Sequence, residues 1–170
     1  MKNILNAFYL TNSLIVLLVL MFYPADSSYC QNVQPKDIVS IKALVTNDSS
    51  KVNGLIYADV NLNIKDSWHI NANKPLDDYL TPTSVSIKGS KVIKVLKIIY
   101  PAPLIMKLNF SENDLALYED QATIKVILKV MNPKKLKGQK LKGEIQYQPC
   151  NNQTCLFPVT KEFYLNLETK

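Results

Sequence analysis

Two of the chain's three cysteines bracket four polar residues, in the stretch Tyr147-Gln148-Pro149-Cys150-Asn151-Asn152-Gln153-Thr154-Cys155-Leu156-Phe157-Pro158. Thiols this close in sequence either lock into an inert disulfide or exchange electrons with the thiols of another protein. Asn151 and Asn152 tolerate turn geometry, left-handed backbone included. If the four residues form a hairpin loop, Cys150 and Cys155 face each other across its mouth. Directly opposed strand residues hold their Cβ atoms about 4.5–5.5 Å apart, and a disulfide needs Cα atoms about 4.4–6.8 Å apart. The pair can then bond after small adjustments and open without unfolding a domain. A ring this small adds only about 2 kcal/mol through chain entropy. A staple placed for stability alone would gain more by closing a longer loop, which favours a redox role without deciding it.

Other chemistry has little material. A zinc site of three Cys and one His would have to recruit Cys30, far from the pair, together with His69, the only histidine. A blue-copper site needs two His and is excluded in its usual form. One His also gives no defensible Ser-His-Asp or Cys-His-Asn arrangement. Trp68-His69-Ile70-Asn71-Ala72-Asn73-Lys74-Pro75 holds the single Trp and the single His. Its ordinary reading is a tryptophan anchoring a core beside a polar histidine. Residues 134–142 carry five lysines; they read as a solvated hairpin loop or, functionally, as a docking patch for an acidic partner. Sequons at Asn47, Asn109 and Asn152 matter only in a eukaryotic secretory pathway.

All 20 basic residues are lysine, against 14 acidic ones, for a formal charge of +6. Guanine and phosphate are read bidentately by arginine, so this charge argues for no nucleic-acid partner. At 170 residues and 47% hydrophobic the chain suits one domain plus a leader. Lys2 precedes apolar stretches that end in the run 14–23, an h-region of secretory length that is short for a membrane span. Ala25-Asp26-Ser27 offers small residues for cleavage after Ser27. The expected organisation is a signal peptide over 1–27, a linker over 28–36 and a domain over 37–170. If uncleaved, residues 4–23 are an anchor touching the membrane. Cys30 as a lipidated first residue is disfavoured by the bulk of Tyr29. An exported domain permits disulfides.

Residues 38–45, 55–64, 84–87, 92–98, 123–130, 141–147 and 163–167 alternate apolar and polar over much of their length, the period of half-buried strands. Asn53-Gly54, Lys88-Gly89-Ser90, Asn132-Pro133 and Lys142-Gly143 carry turn chemistry between them. No long helical period intervenes. Strands at this spacing predict an all-β protein, an immunoglobulin-like antiparallel β-sandwich behind the N-terminal signal segment.

Three stretches together resemble the N-terminal periplasmic domain of the thiol:disulfide interchange protein DsbD, in the disulfide bond corrector family. They are the block 68–75 with Leu80-Thr81-Pro82-Thr83 after it; a middle segment of Tyr100-Pro101, Phe110-Ser111 and Leu117-Tyr118-Glu119; and the cysteine motif 147–158. The last is the specific one, and the resemblance spans roughly residues 35–168. It implies an immunoglobulin-like fold and a dithiol–disulfide pair, Cys150 and Cys155, that needs no cofactor or metal. It also implies that Cys155 forms mixed disulfides with partners and that Cys150 resolves them. Phe110 would be the aromatic of a cap shielding the pair, and Trp68, His69, Asn71 and Tyr147 would line the site.

The partners implied are periplasmic thioredoxin-fold proteins, of isomerase or cytochrome-maturation type, in a Gram-negative bacterium. Some family members space the cysteines by one residue more. No Cys-x-x-Cys motif occurs in the sequence, so the electron donor, a membrane or thioredoxin-like protein, is expected on another chain. The competing expectation is an exported immunoglobulin-like module for binding or adhesion, with an inert structural disulfide.

Overall fold

Alternation of apolar and polar residues becomes strand wherever one face of a sheet meets the core and the other meets water. A computed structural model describes residues 33–46 and 54–167. The leader, Cys30, Asn53 and the Asn47 sequon lie outside the described residues. Eleven strands follow in order: β1 Val39–Val45, β2 Leu55–Ile64, β3 His69–Asn71, β4 Ser84–Ile87, β5 Ile93–Ile99, β6 Leu104–Met106, β7 Leu115–Glu119, β8 Gln121–Val130, β9 Lys140–Tyr147, β10 Pro149–Cys150 and β11 Val159–Asn166. All pairings are antiparallel, in sheets ordered β1-β2-β8-β5, β11-β9-β4 and β10-β3-β7-β6. The result is the expected immunoglobulin-like sandwich.

The main core lies between the first two sheets. β2 turns Ile56, Ala58, Val60 and Leu62 inward, opposite Leu128, Val126, Ile124 and Ala122 of β8. A register slip of one residue would expose the whole set, so the pattern fixes the pairing. From the facing sheet come Val85, Leu141, Ile145, Tyr147, Phe163 and Leu165. In β5 the register shifts between Val95 and Lys97, and the extra residue, Leu96, is left exposed. Lys142-Gly143, read as turn chemistry, is instead the middle of β9. Gly143 is there for close packing: a Cβ on it would lie 2.3 Å from Cζ of Phe163.

The third sheet is the one the alternation rule does not reveal. Its strands are two to five residues long. His69–Asn71 is buried throughout, as are the first four residues of β7. This sheet covers core on both faces. Ile70, Ala116 and Tyr118 join the main core, while Leu115, Leu117 and Cys150 belong to a second, smaller apolar cluster. A strand buried on both faces loses its polar beat. Chain continuity ties this sheet to the others: only Gln148 separates β9 from β10, and only Asp120, at φ 50°, separates β7 from β8.

Candidate redox site

The hairpin at 150–155 forms with Asn151 as its turn residue, and neither asparagine takes a left-handed backbone. Asn151 Oδ1 accepts from the backbone N–H of Gln153 at 2.8 Å and of Thr154 at 2.9 Å, folding the loop back on itself. Backbone bonds flank its mouth, Asn151 N–H to the Thr154 carbonyl at 2.9 Å and Leu156 N–H to the Pro149 carbonyl at 2.8 Å. Between them Cys150 and Cys155 pair as an isolated antiparallel bridge. Their sulfurs are bonded, with the Cα atoms 4.0 Å apart, slightly closer than a usual disulfide pair.

The two sulfurs live in different surroundings. Cys150 is fully buried and Cys155 half-buried. Cys150 packs with Leu80, Leu108, Leu115 and Leu117, with Met106 and Cys155 at the margin. The hairpin thus sits on its own small apolar platform, outside the main core. Just past Cys155, Phe157 is 87% exposed.

β3 supplies the polar side of the site. His69 is the direct partner of Cys150 across the β3–β10 ladder, and Asn71, two residues on, shares that face. His69 Nε2 lies 3.1 Å from Glu119 Oε2, while its Nδ1 is buried without a hydrogen-bond partner among the described residues. Asn71 is fully buried. Its Nδ2 donates to the Thr81 carbonyl at 3.1 Å and to Gln148 Oε1 at 3.0 Å. Gln148 Oε1 also accepts the Thr81 N–H at 2.9 Å, and Gln148 Nε2 donates to the Leu156 carbonyl at 3.2 Å. Two side-chain amides therefore join β3, the 80–83 segment and both arms of the cysteine hairpin. Asn71 Oδ1 points at Cys150 Sγ from 3.9 Å.

Of the residues expected at the site, Cys150, Cys155, His69 and Asn71 come together. Phe110 is 39% exposed in the turn closed by Ser111 N–H to the Leu108 carbonyl, whose foot, Leu108, is buried in the platform. Trp68 and Tyr147 pack with the main core instead. Tyr147 is fully buried; its hydroxyl donates to the Pro35 carbonyl at 3.3 Å, and burial, helped by Asp37, pushes its pKa up to about 12. Gln148 and Glu119 lie in the stretches that carry the resemblance, which gives neither a site role. Gln148 did carry a signal, a polar residue between a buried strand end and the Pro-Cys step. Of the lysine stretch, Lys134, Lys135 and Lys137 are exposed in a loop that begins with a short 3₁₀ turn, Pro133–Lys135, while Lys140 and Lys142 are exposed on β9. Among the described residues no group of three or more His, Cys, Asp and Glu could hold a metal ion, and no helix is long and apolar enough to cross a membrane.

Comparison with known proteins bears on this arrangement. Among solved structures the chain is similar to the N-terminal periplasmic domain of ScsB from Proteus mirabilis, with a TM-score of 0.55 and 15% identity over 79% of this chain and 49% of that one. It thus spans about half the length of that structure. The GAE domain of GGA2p from Saccharomyces cerevisiae aligns at a TM-score of 0.43 and 12% identity, over 80% of this chain and 96% of that one. No curated protein sequence matches. The family model for the N-terminal region of the thiol:disulfide interchange protein DsbD matches residues 39–167, a span holding both sheets of the sandwich, the third sheet and the cysteine hairpin. The chain belongs to that DsbD N-terminal domain family.

Proposed function

We propose that the chain is an exported thiol–disulfide exchange domain that passes reducing equivalents through Cys150 and Cys155 to thioredoxin-fold partners. Residues 1–27 would be its export signal, and the periplasm its compartment. The observation that carries this reading is the asymmetry of the pair: one sulfur buried on an apolar platform, the other half-buried at a loop mouth outside the main core. A staple gains nothing from such asymmetry, whereas exchange needs one sulfur a partner can reach and one it cannot.

In the reduced domain the Cys155 thiolate attacks a sulfur of the partner's disulfide. A Cys155–partner disulfide forms, and the partner's other sulfur leaves as a thiolate that takes up a proton. Cys150 then gives up its proton and attacks Cys155 Sγ, and the partner's second sulfur leaves. The partner gains two electrons and two protons; the domain ends with the Cys150–Cys155 bond. A reduced donor reverses these steps.

The deciding measurement is the reduction potential of the pair, by equilibration with glutathione or dithiothreitol. A value above about −300 mV supports exchange. A value below it, with no reaction toward thioredoxin-fold disulfides, supports a binding or adhesion module with an inert disulfide.

A further inference from the structure

The orientation of the Asn71 amide follows from backbone groups whose polarity is fixed. Thr81 N–H can only donate, so the Gln148 atom 2.9 Å from it is the oxygen. Leu156 C=O can only accept, so the Gln148 atom facing it is the nitrogen. Asn71 meets two acceptors on one side, the Thr81 carbonyl and Gln148 Oε1, so that side is its NH₂. Its oxygen is then left facing Cys150 Sγ at 3.9 Å. The disulfide sulfur has no hydrogen to give. A thiol at the same place does, and a carbonyl oxygen is its natural acceptor.

On the reading of the pair as a redox couple, we infer that Asn71 is the acceptor that keeps Cys150 a thiol once the pair is reduced. Hydrogen bonding to the neutral form disfavours the charged one, and so does the negative end of an amide dipole. The platform around Cys150 is apolar, from Leu80, Leu108, Leu115 and Leu117. The titratable groups beside it are Cys155, His69 across the ladder and Glu119 paired to His69. Asn71 thus biases first attack to Cys155 and slows Cys150 as the resolving thiol, lengthening the life of the mixed disulfide. Asn71 acts here as a positioning residue, holding a proton on a reacting sulfur.

The test uses the full chain carrying Cys155→Ser, so that Cys150 is the thiol of the site, with Cys30→Ser to clear the signal. Its titration is followed by thiolate absorbance in the ultraviolet. Adding Asn71→Leu lowers the Cys150 midpoint by about half to one pH unit, the size of one neutral hydrogen bond. An unchanged or raised midpoint overturns the assignment. Because Asn71→Leu also removes two structural bonds, a second readout leaves Asn71 in place: the infrared S–H stretch of Cys150. A band shifted to lower frequency, as for a donating thiol, supports the assignment, and a free-thiol band overturns it. With both cysteines restored, Asn71→Leu speeds release of glutathione from a Cys155 mixed disulfide about two- to three-fold, the thiolate gain tempered by lower nucleophilicity. Slower release overturns the kinetic role. Neither the titration nor the stretch depends on exchange with a protein, so they stand or fall apart from the potential that tests the function.

Discussion

Gln148 Nε2 donates to the Leu156 carbonyl at 3.2 Å, so one side chain spans the neck of the ring that Cys150 and Cys155 close. In the oxidised domain this latch and the disulfide hold the same loop. In the reduced domain the latch holds it with only the flanking backbone bonds. Gln148→Ala should therefore destabilise the reduced form more than the oxidised form. An extra cost of about 1 kcal/mol, one net hydrogen bond, makes the pair harder to reduce by about 20–30 mV. The check is the equilibrium with dithiothreitol for both proteins. A shift toward easier reduction would mean that the latch matters mainly when the disulfide is formed.

Gly143 and Phe163 face each other across β9 and β11. A methyl group on Gly143 would enter the Phe163 ring, 2.3–2.8 Å from its three outer carbons. Phe163 is 5% exposed and has little room to yield. Gly143→Ala should cost about 1–3 kcal/mol by overpacking, read by urea denaturation. Phe163→Leu, itself destabilising, should make the added methyl cheaper, so the double variant is more stable than the sum of the singles predicts.

The long strands were legible because each has one wet face. β2 and β8 repeat an inward apolar residue at every second position over ten residues, and β9 alternates in the same way over eight. The site sheet was not legible in that way. His69, Ile70 and Asn71 are all buried, two of them polar, and no periodicity rule marks such a triplet as strand. Cys150 and Cys155 stood out because cysteine chemistry depends on residue type and spacing. Asn71 and His69 came through the family resemblance. Gln148 lies in the cysteine motif, but its part depends on Thr81 and Leu156, which only the fold brings to it. Tyr147 and Trp68 show the opposite: each opens one of the motifs in sequence, yet both pack with the main core.

Tyr147 gives the domain a dependence on alkaline pH. Its hydroxyl is buried, and its pKa is raised to about 12 from an ordinary 10.0. A group whose folded pKa is raised contributes stability in full below the unfolded value and loses it as pH climbs through the folded one. The stability of the native chain should fall between about pH 10 and pH 12, by a couple of kcal/mol from this group. Tyr147→Phe should be slightly less stable at pH 7, where the Pro35 carbonyl loses its donor, and should show a flatter decline above pH 10. Equal slopes in both proteins would mean the hydroxyl ionises in water-like surroundings.

Phe110 lies in the turn footed by Leu108, which is buried in the platform, and is 39% exposed. Removing it should cost well under the roughly 3–5 kcal/mol of a buried Phe→Ala change. If the ring shields the pair, Phe110→Ala speeds oxidation of the reduced thiols by small reagents several-fold, with little change in melting temperature. A steep fall in melting temperature with unchanged reactivity would make Phe110 an ordinary packing residue.

The sulfurs differ in burial, and on the proposed function that difference predicts a direction for exchange. Cys150 is fully buried against leucines, and Cys155 is the sulfur at the rim, next to the exposed Phe157. An incoming partner disulfide must line up its two sulfurs with the attacking one, which the rim allows and the platform does not. Cys150→Ser should then leave Cys155 able to attack but unable to be released, so a covalent complex with an exported thioredoxin-fold partner accumulates. Cys155→Ser leaves a thiol that partners cannot reach, and should accumulate far less. The comparison is a non-reducing gel of the two variants isolated from cells, with a reduced lane as control and Cys30→Ser in both backgrounds to remove the third thiol. Equal trapping would remove the polarity, because burial would then not govern access. Absence of trapping in both variants, each folded and exported, would count against exchange itself and in favour of an inert disulfide.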